Sequence, residues 1–405
     1  MSDDSDTASL PTRAYRHYRE NGLRSLAGRA FEKASRRFVR NRALSTAELE
    51  QLAQSRGSIW YAEHEDSIRI PPPEHPQLRT ALADYPKVYR PRRAFVCELP
   101  DCHLVEGSAM AMYRGERMLL DTTRHRFSSR YFRSYSSLST HTLKSRLGAG
   151  PKRSNQLLFS LVCLDPSYYH WLLEFLPKLR LLELYQTETD RTPKVVIEPK
   201  PRDFIIDTLD FAGYDSDHRI QWGQTPAQPE RLVVASHKAH RFDYENPTRS
   251  PYQPSRVDFE WLREHMRTQI PQVEINPSAD RRLYISRQRA DRGRKVSNYN
   301  ESMAVLQERG FESHVLEDYS FERQMKLFME ADVIAGPHGA GLANMLFAEN
   351  PLVVELFPET VLKPQFYFLA SILGFEYEAI VTGGVENNLR IDIAHLQQRL
   401  DEIGL

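Results

Sequence analysis

Cysteine is scarce, three residues in 405 (Cys97, Cys102 and Cys163), with no C-x-x-C pair among them. An odd, widely spaced set gives neither a disulfide framework nor a zinc-thiolate site and points to a reducing compartment. Surplus charge is missing too, since 54 Lys and Arg stand against 54 Asp and Glu. The whole chain therefore carries no electrostatic argument for nucleic acid as a partner. No apolar run reaches the 18 residues of a membrane-spanning helix, and the opening Met-Ser-Asp-Asp-Ser-Asp has the wrong sign for a secretory leader. The expectation is a cytoplasmic protein. Residues 148–154 hold glycine and lysine but not the G-x-x-x-x-G-K-[ST] of a P-loop, and no G-x-S-x-G nucleophile elbow occurs anywhere.

What is present is organised around residues 332–358. Val333, Ile334 and Ala335 form a short apolar run ending at Gly336, as a buried parallel strand would. Gly336, Gly339, Ala340 and Gly341 then surround one imidazole, His338, with little side-chain bulk, and residues 342–347 read as the first turns of a helix. Backbone N–H groups at such a strand-to-helix turn suit an anion, most simply a phosphate or diphosphate. The glycine spacing is the reverse of a dinucleotide fingerprint and lies late in the chain, which argues against a dehydrogenase.

A second constellation sits at residues 165–178, behind a predicted strand at 157–164. His170 and Glu174 are four apart and share a helix face near its start, where a base for a hydroxyl proton is well placed. The competing reading is that His170 caps the helix and Glu174 pairs with Lys178. Arg287, Arg289, Arg292 and Arg294 follow a strand predicted at 283–285, and Arg287, nearest the strand, is the candidate phosphate ligand. Asp215 and Asp217 have the D-x-D spacing of some metal sites but read as an exposed turn.

Strand and helix patterns alternate twice, over 157–266 and from 283 onward, with a proline-containing crossing at 246–254. Two Rossmann-like domains facing a cleft follow from that. Boundaries are expected at 86–270 and 271–385, with an N-terminal extension over 1–85 and a C-terminal helix over 386–405. Asn298 and Glu301 predict a capping box, and residues 169–184 one continuous helix. Residues 13–42 carry ten Lys or Arg against Glu20 and Glu32, with Leu23, Ala27, Ala30, Phe31, Ala34 and Phe38 on one face. That stretch fits either a helix on an anionic membrane surface or one packed on the main body.

Taken together, these residues resemble glycosyltransferase family 61, in the form of a bacterial-type member. Five marks occur in order: Tyr169 to Pro177; Arg287 with Asn300-Glu301; Ser320-Phe-x-x-Gln324; His338-Gly-Ala-Gly-Leu-x-Asn344; and Val353-Val354-Glu355. The resemblance covers roughly residues 90–385, departing locally at Pro337. It implies a GT-B-like α/β fold, with the last helix crossing back to the first domain, and inverting transfer from a nucleotide-sugar to a glycan or glycolipid hydroxyl, without a metal. The donor then meets Arg287, Gly336, His338, Gly339, Ala340, Gly341, Asn344 and Glu355, while His170 or Glu174 serves as base. The alternative is a catalytically idle nucleotide- or glycan-binding protein of the same fold.

Overall fold

The structure, a computed structural model, describes residues 43–105, 109–122, 143–144, 147–148, 151–163, 167–223, 227–237, 254–270, 281–290, 293–360, 362–385 and 388–405. The basic stretch 13–42 lies outside them. Among the described residues no helix is long and apolar enough to cross a membrane.

The N-terminal half is built on a six-stranded sheet in the order Arg219–Gln221, Lys194–Ile197, Leu157–Ser160, Arg231–Ala235, Phe95–Leu99, Ile59–Tyr61. The first four strands are parallel, and each of the last two runs antiparallel to its neighbour. Leu158, Phe159, Val195, Val196 and Val233 are all buried, because both faces of the sheet are covered: Phe159, Val195 and Val233 cluster with Leu179, Leu182 and Leu209 of helices, and Leu158 and Val196 with the helix residues Leu49 and Ala53 and with Leu104 and Ala111 of a smaller sheet. The parallel strands follow the chain order 3-2-1-4, so the winding reverses between Leu157–Ser160 and Arg231–Ala235. Ile59–Tyr61 is an edge strand of this same sheet, so residues before 86 are woven into the half from which the sequence had set them apart.

The C-terminal sheet runs Phe311–His314, Arg282–Ile285, Val333–Pro337, Leu352–Pro358, Glu376–Val385, Asn388–Arg390, all parallel except the last. Its chain order is 2-1-3-4-5, and the winding reverses between Arg282–Ile285 and Val333–Pro337. Ligands of such sheets bind beyond the carboxyl ends of strands at this switch point. The loops that begin there start at Ser286 and His338. A third, mostly antiparallel sheet includes Cys102–Leu104, Ala111–Tyr113 and Arg117–Leu119.

No strand is shared between the two parallel sheets, yet one apolar cluster contains Leu161 and Leu172 from the first half and Leu283, Leu342 and Phe357 from the second. Phe211 and Phe321 meet edge-to-face at 5.4 Å, and Arg263 Nε donates to the Leu346 carbonyl at 2.7 Å. These contacts hold the two halves against each other.

Two local expectations change. Asn298 starts the helix Tyr299–Glu308 without capping it: its side chain instead accepts from Ile391 N–H (3.0 Å) and donates to the Ile391 carbonyl (2.8 Å). A paired edge backbone offers two well-aligned partners, and the helix end goes without the side-chain cap. The final helix, Ile393–Glu402, buries Leu396 and Leu400 with Val305, Leu306 and Phe311. It stays on the C-terminal half, where those two leucines find an apolar face, rather than crossing back to the first half.

Candidate functional site at two sheet switch points

Arg287 leaves the strand Arg282–Ile285 and lies half-buried over Gly339. A Cβ on Gly339 would stand 2.2 Å from Arg287 Nη1 and 2.9 Å from Cζ. Gly336 and Gly341 are equally crowded, by the Ile285 carbonyl at 2.8 Å and by Leu316 Cδ1 at 2.9 Å. The glycines therefore admit neighbouring chain, and one of them admits the guanidinium; they are not clearing room around the imidazole. Among the described residues Arg287 Nη2 reaches only the Gly293 carbonyl at 3.3 Å, and its Nε has no acceptor. No ion pair to Arg287 is recorded among the described residues. Burial, and then the nearby Arg294 guanidinium, push Arg287 down to about 10, which leaves it a cation at neutral pH. Glu317 offsets that push only in part, and a half-buried cation with one long hydrogen bond is costly unless an anion joins it.

The other arginines separate. Arg289 pairs with Asp318 at the surface, and Arg292 lies outside the described residues. Arg294 adopts a left-handed backbone (φ 59°) after Gly293 (φ 70°) and comes within electrostatic reach of Glu355, with burial pushing its own ionisation downward. No sequence signal singles it out from its neighbours.

The next stretch, Ala340–Phe347, is a 3₁₀ helix rather than an α-helix. Its first intrahelical bond runs from Leu342 N–H to the Gly339 carbonyl, 3.1 Å. The amides of Ala340 and Gly341 thus have no intrahelical acceptor, and they follow directly on Gly339, which Arg287 contacts.

His338 is fixed from three sides. Its N–H donates to the Leu356 carbonyl (2.9 Å), its ring stacks on Phe357 at 5.3 Å and 23°, and Phe366 tilts against it at 5.3 Å. Nδ1 is hydrogen-bonded to Glu355 Oε1, and the Tyr377 hydroxyl donates to the other carboxylate oxygen. The parallel pairing of Gly336 with Glu355 sets this arrangement. Glu355 is fully buried, so it stands behind His338 instead of facing a ligand.

Asn344 is likewise fully buried. Its Oδ1 accepts from Tyr168 Oη at 2.5 Å, and its Nδ2 donates to Gln324 Oε1 at 2.8 Å. Gln324 Nε2 continues to the Leu316 and Tyr319 carbonyls. A donor contact for Asn344 is thus replaced by a brace between the two halves, and the Ser320–Gln324 mark gains a purpose as its far anchor.

At the other switch point the expected continuous helix is divided into four segments. The turn Tyr168–His170 opens into a π-helical turn, Trp171–Phe175, then a 3₁₀ turn, Leu176–Lys178, before Leu179–Thr189. Pro177 has no N–H and its ring crowds the carbonyl four residues back, so the ladder widens: Leu176 N–H reaches Trp171 C=O, five residues away. Trp171 Nε1 is held by Thr208 Oγ1 at 2.7 Å. His170 Nδ1 and Glu174 Oε2 stand 2.7 Å apart, at ion-pair distance but off the line of a good hydrogen bond. The His170 side chain is 12% exposed and Glu174 7%. The imidazole is therefore the outer of the two.

Lys178 does not lie at the surface as an i,i+4 partner. It is buried, donates to the Asp121 carbonyl at 2.6 Å and sits 4.8 Å from the centre of the Phe175 ring. Burial depresses it to about 8, against the pull of Asp121, Cys163 and Glu174. Asp121 Oδ1 in turn accepts from His237 N–H (2.7 Å) and Thr46 Oγ1 (3.0 Å). Sequence spacing could not have found Asp121, which lies 57 residues from Lys178.

The two switch points are linked through aromatic rings. Phe366 touches Tyr169 edge-on at 5.5 Å and His338 at 5.3 Å, and Tyr169 adjoins His170. Asp215 accepts from Asp217 N–H at 2.9 Å and pairs with His218 at 2.8 Å, which uses it to shape an exposed turn. Among the described residues no group of three or more His, Cys, Asp or Glu is placed to hold a metal.

A family model described as Glycosyltransferase 61 matches residues 168–354, under half of the chain but including both switch-point loops. That match supports a glycosyltransferase. A search of curated proteins finds no match.

Proposed function

We propose that this chain is an inverting glycosyltransferase of GT-B-like architecture, moving a sugar from a nucleotide-sugar to a hydroxyl of a glycan or glycolipid. The observation that carries the reading is Arg287: a half-buried guanidinium with no ion pair among the described residues, laid over Gly339 at the C-terminal switch point and inside the family match. Arg287 and the first amides of Ala340–Phe347 would take up the charge of the leaving diphosphate, which is greatest in the transition state. On the facing half, His170 would accept the proton of the attacking hydroxyl with Glu174 behind it. On this reading Arg287 and those amides supply the charge that a metal would otherwise supply. The setting is cytoplasmic surface-glycan synthesis, with residues 13–42 as a peripheral contact to anionic lipid.

The test is release of nucleoside diphosphate from a panel of nucleotide-sugars, each with and without chelator. Release insensitive to chelator is expected. Binding of a nucleotide without release from any donor would identify the alternative, an idle binding protein. Activity lost in chelator would return attention to Asp215 and Asp217.

A further inference from the structure

The hydrogen-bonded chain Tyr377–Glu355–His338 assigns His338 a role that the diphosphate reading does not use. Glu355 has no exposed surface, and its carboxylate is met by one donor on each oxygen, His338 Nδ1 and the Tyr377 hydroxyl. An ionised carboxylate accepts only, so the imidazole proton facing it belongs on Nδ1. Phe357 and Phe366 pack on the ring and oppose a flip that would exchange its nitrogens. Nε2 is then left with its lone pair directed away from Glu355. Positive charge at this site already comes from Arg287 and from Arg294, which is in electrostatic reach of Glu355. A phosphate oxygen and an imidazole lone pair repel, whereas a hydroxyl and a lone pair form a hydrogen bond.

Resting on the glycosyltransferase reading, we infer that His338 Nε2 accepts a hydrogen bond from a ligand hydroxyl, of the ribose or of the donor sugar, and that Tyr377 is a positioning residue acting through Glu355. The phenol suits that task, because burial and then the adjacent carboxylate hold its proton on far above the ordinary tyrosine range. The Glu355 carboxylate therefore keeps a permanent donor on its far side and turns its other oxygen to the imidazole.

Two measurements test this. In protein labelled with ¹⁵N-histidine, the long-range ¹H–¹⁵N spectrum at neutral pH should show His338 as the Nδ1–H tautomer. Tyr377→Phe, which keeps the ring, should shift that signal toward a tautomer mixture without unfolding the chain. A wild-type His338 that is protonated on Nε2 overturns the inference. The second measurement is calorimetric binding of uridine, guanosine and cytidine diphosphates, a nucleotide-sugar of the same base, and inorganic pyrophosphate. His338→Asn keeps an N–H for Glu355 and removes Nε2, which makes it the informative variant. It should weaken the nucleoside diphosphate about 10-fold if ribose supplies the hydroxyl, or only the nucleotide-sugar if the sugar does, and leave pyrophosphate unchanged. Equal weakening of pyrophosphate would mean that His338 meets phosphate, and would sink the hydroxyl assignment. Arg287→Ala separates the two readings: if it leaves pyrophosphate binding untouched, the diphosphate site fails, while the tautomer measurement still stands.

Discussion

Gly339→Ala isolates the placement of Arg287 from everything else in the loop. Gly339 has φ −170° and ψ 159°, an extended conformation that alanine adopts without strain. The only new feature is a methyl group 2.2 Å from Arg287 Nη1, 2.7 Å from Cδ and 2.9 Å from Cζ. Ordinary contacts of such atoms are about 3.5 Å or more, so the guanidinium must retreat by on the order of 1 Å. It can do so cheaply, because its one recorded bond, to Gly293, is already 3.3 Å long. Stability should change by about 1 kcal/mol or less. A bound diphosphate, however, would lose a charge-assisted contact of roughly 1.5–3 kcal/mol, or about 10- to 150-fold in Kd. The assay is calorimetric titration with whichever nucleoside diphosphate the wild type binds, run as a double-mutant cycle with Arg287→Ala. In the Arg287→Ala background the alanine at 339 should cost little further. Wild-type affinity in Gly339→Ala, or full additivity in the double variant, would show that Arg287 is not the anion's partner.

Three further outcomes are expected. His170→Ala should lower turnover by about 100-fold while sparing nucleoside diphosphate binding, and a kcat near the wild-type value would remove it as the base. Tyr168→Phe strips Asn344 Oδ1 of its donor inside the protein and should lower stability by about 1–3 kcal/mol in urea melts; no loss would mean that water takes the place of the hydroxyl. Lys178 titrates near 8 in the fold and near about 10.4 in an unfolded chain, so between those values the unfolded state binds more protons and stability rises with pH. The gain is on the order of 3 kcal/mol, fully present above the unfolded value and lost as pH falls through the folded one. Lys178→Met should abolish it, and parallel pH profiles of the two proteins would contradict the burial argument.

Local pattern determined much of this protein. Apolar runs such as Val333–Ala335 and Leu352–Leu356 identified buried parallel strands, because their covering helices leave neither face wet. The glycine loop identified the turn that lies at a switch point. Arg287 was singled out by its distance from the strand end, and His170 and Glu174 by their four-residue spacing. Those signals lie within one element, where backbone geometry alone sets which side chains are neighbours.

Only tertiary structure decided the rest. Glu355 reaches His338 because Gly336 pairs with Glu355 in the parallel ladder, and Tyr377 reaches the same carboxylate from a third strand. The seat of Arg287 depended on Gly339 arriving from 52 positions along the chain to leave a gap of one missing methyl group. Asn344 became a brace because Tyr168 and Gln324 converge on it from opposite halves. Lys178 left the expected helix face because Pro177 widened the turn before it and the Asp121 carbonyl lay inside. A sequence pattern records which face of an element is apolar. It does not record the register or the packing partner, and those fix which polar groups are brought within bonding distance of one another.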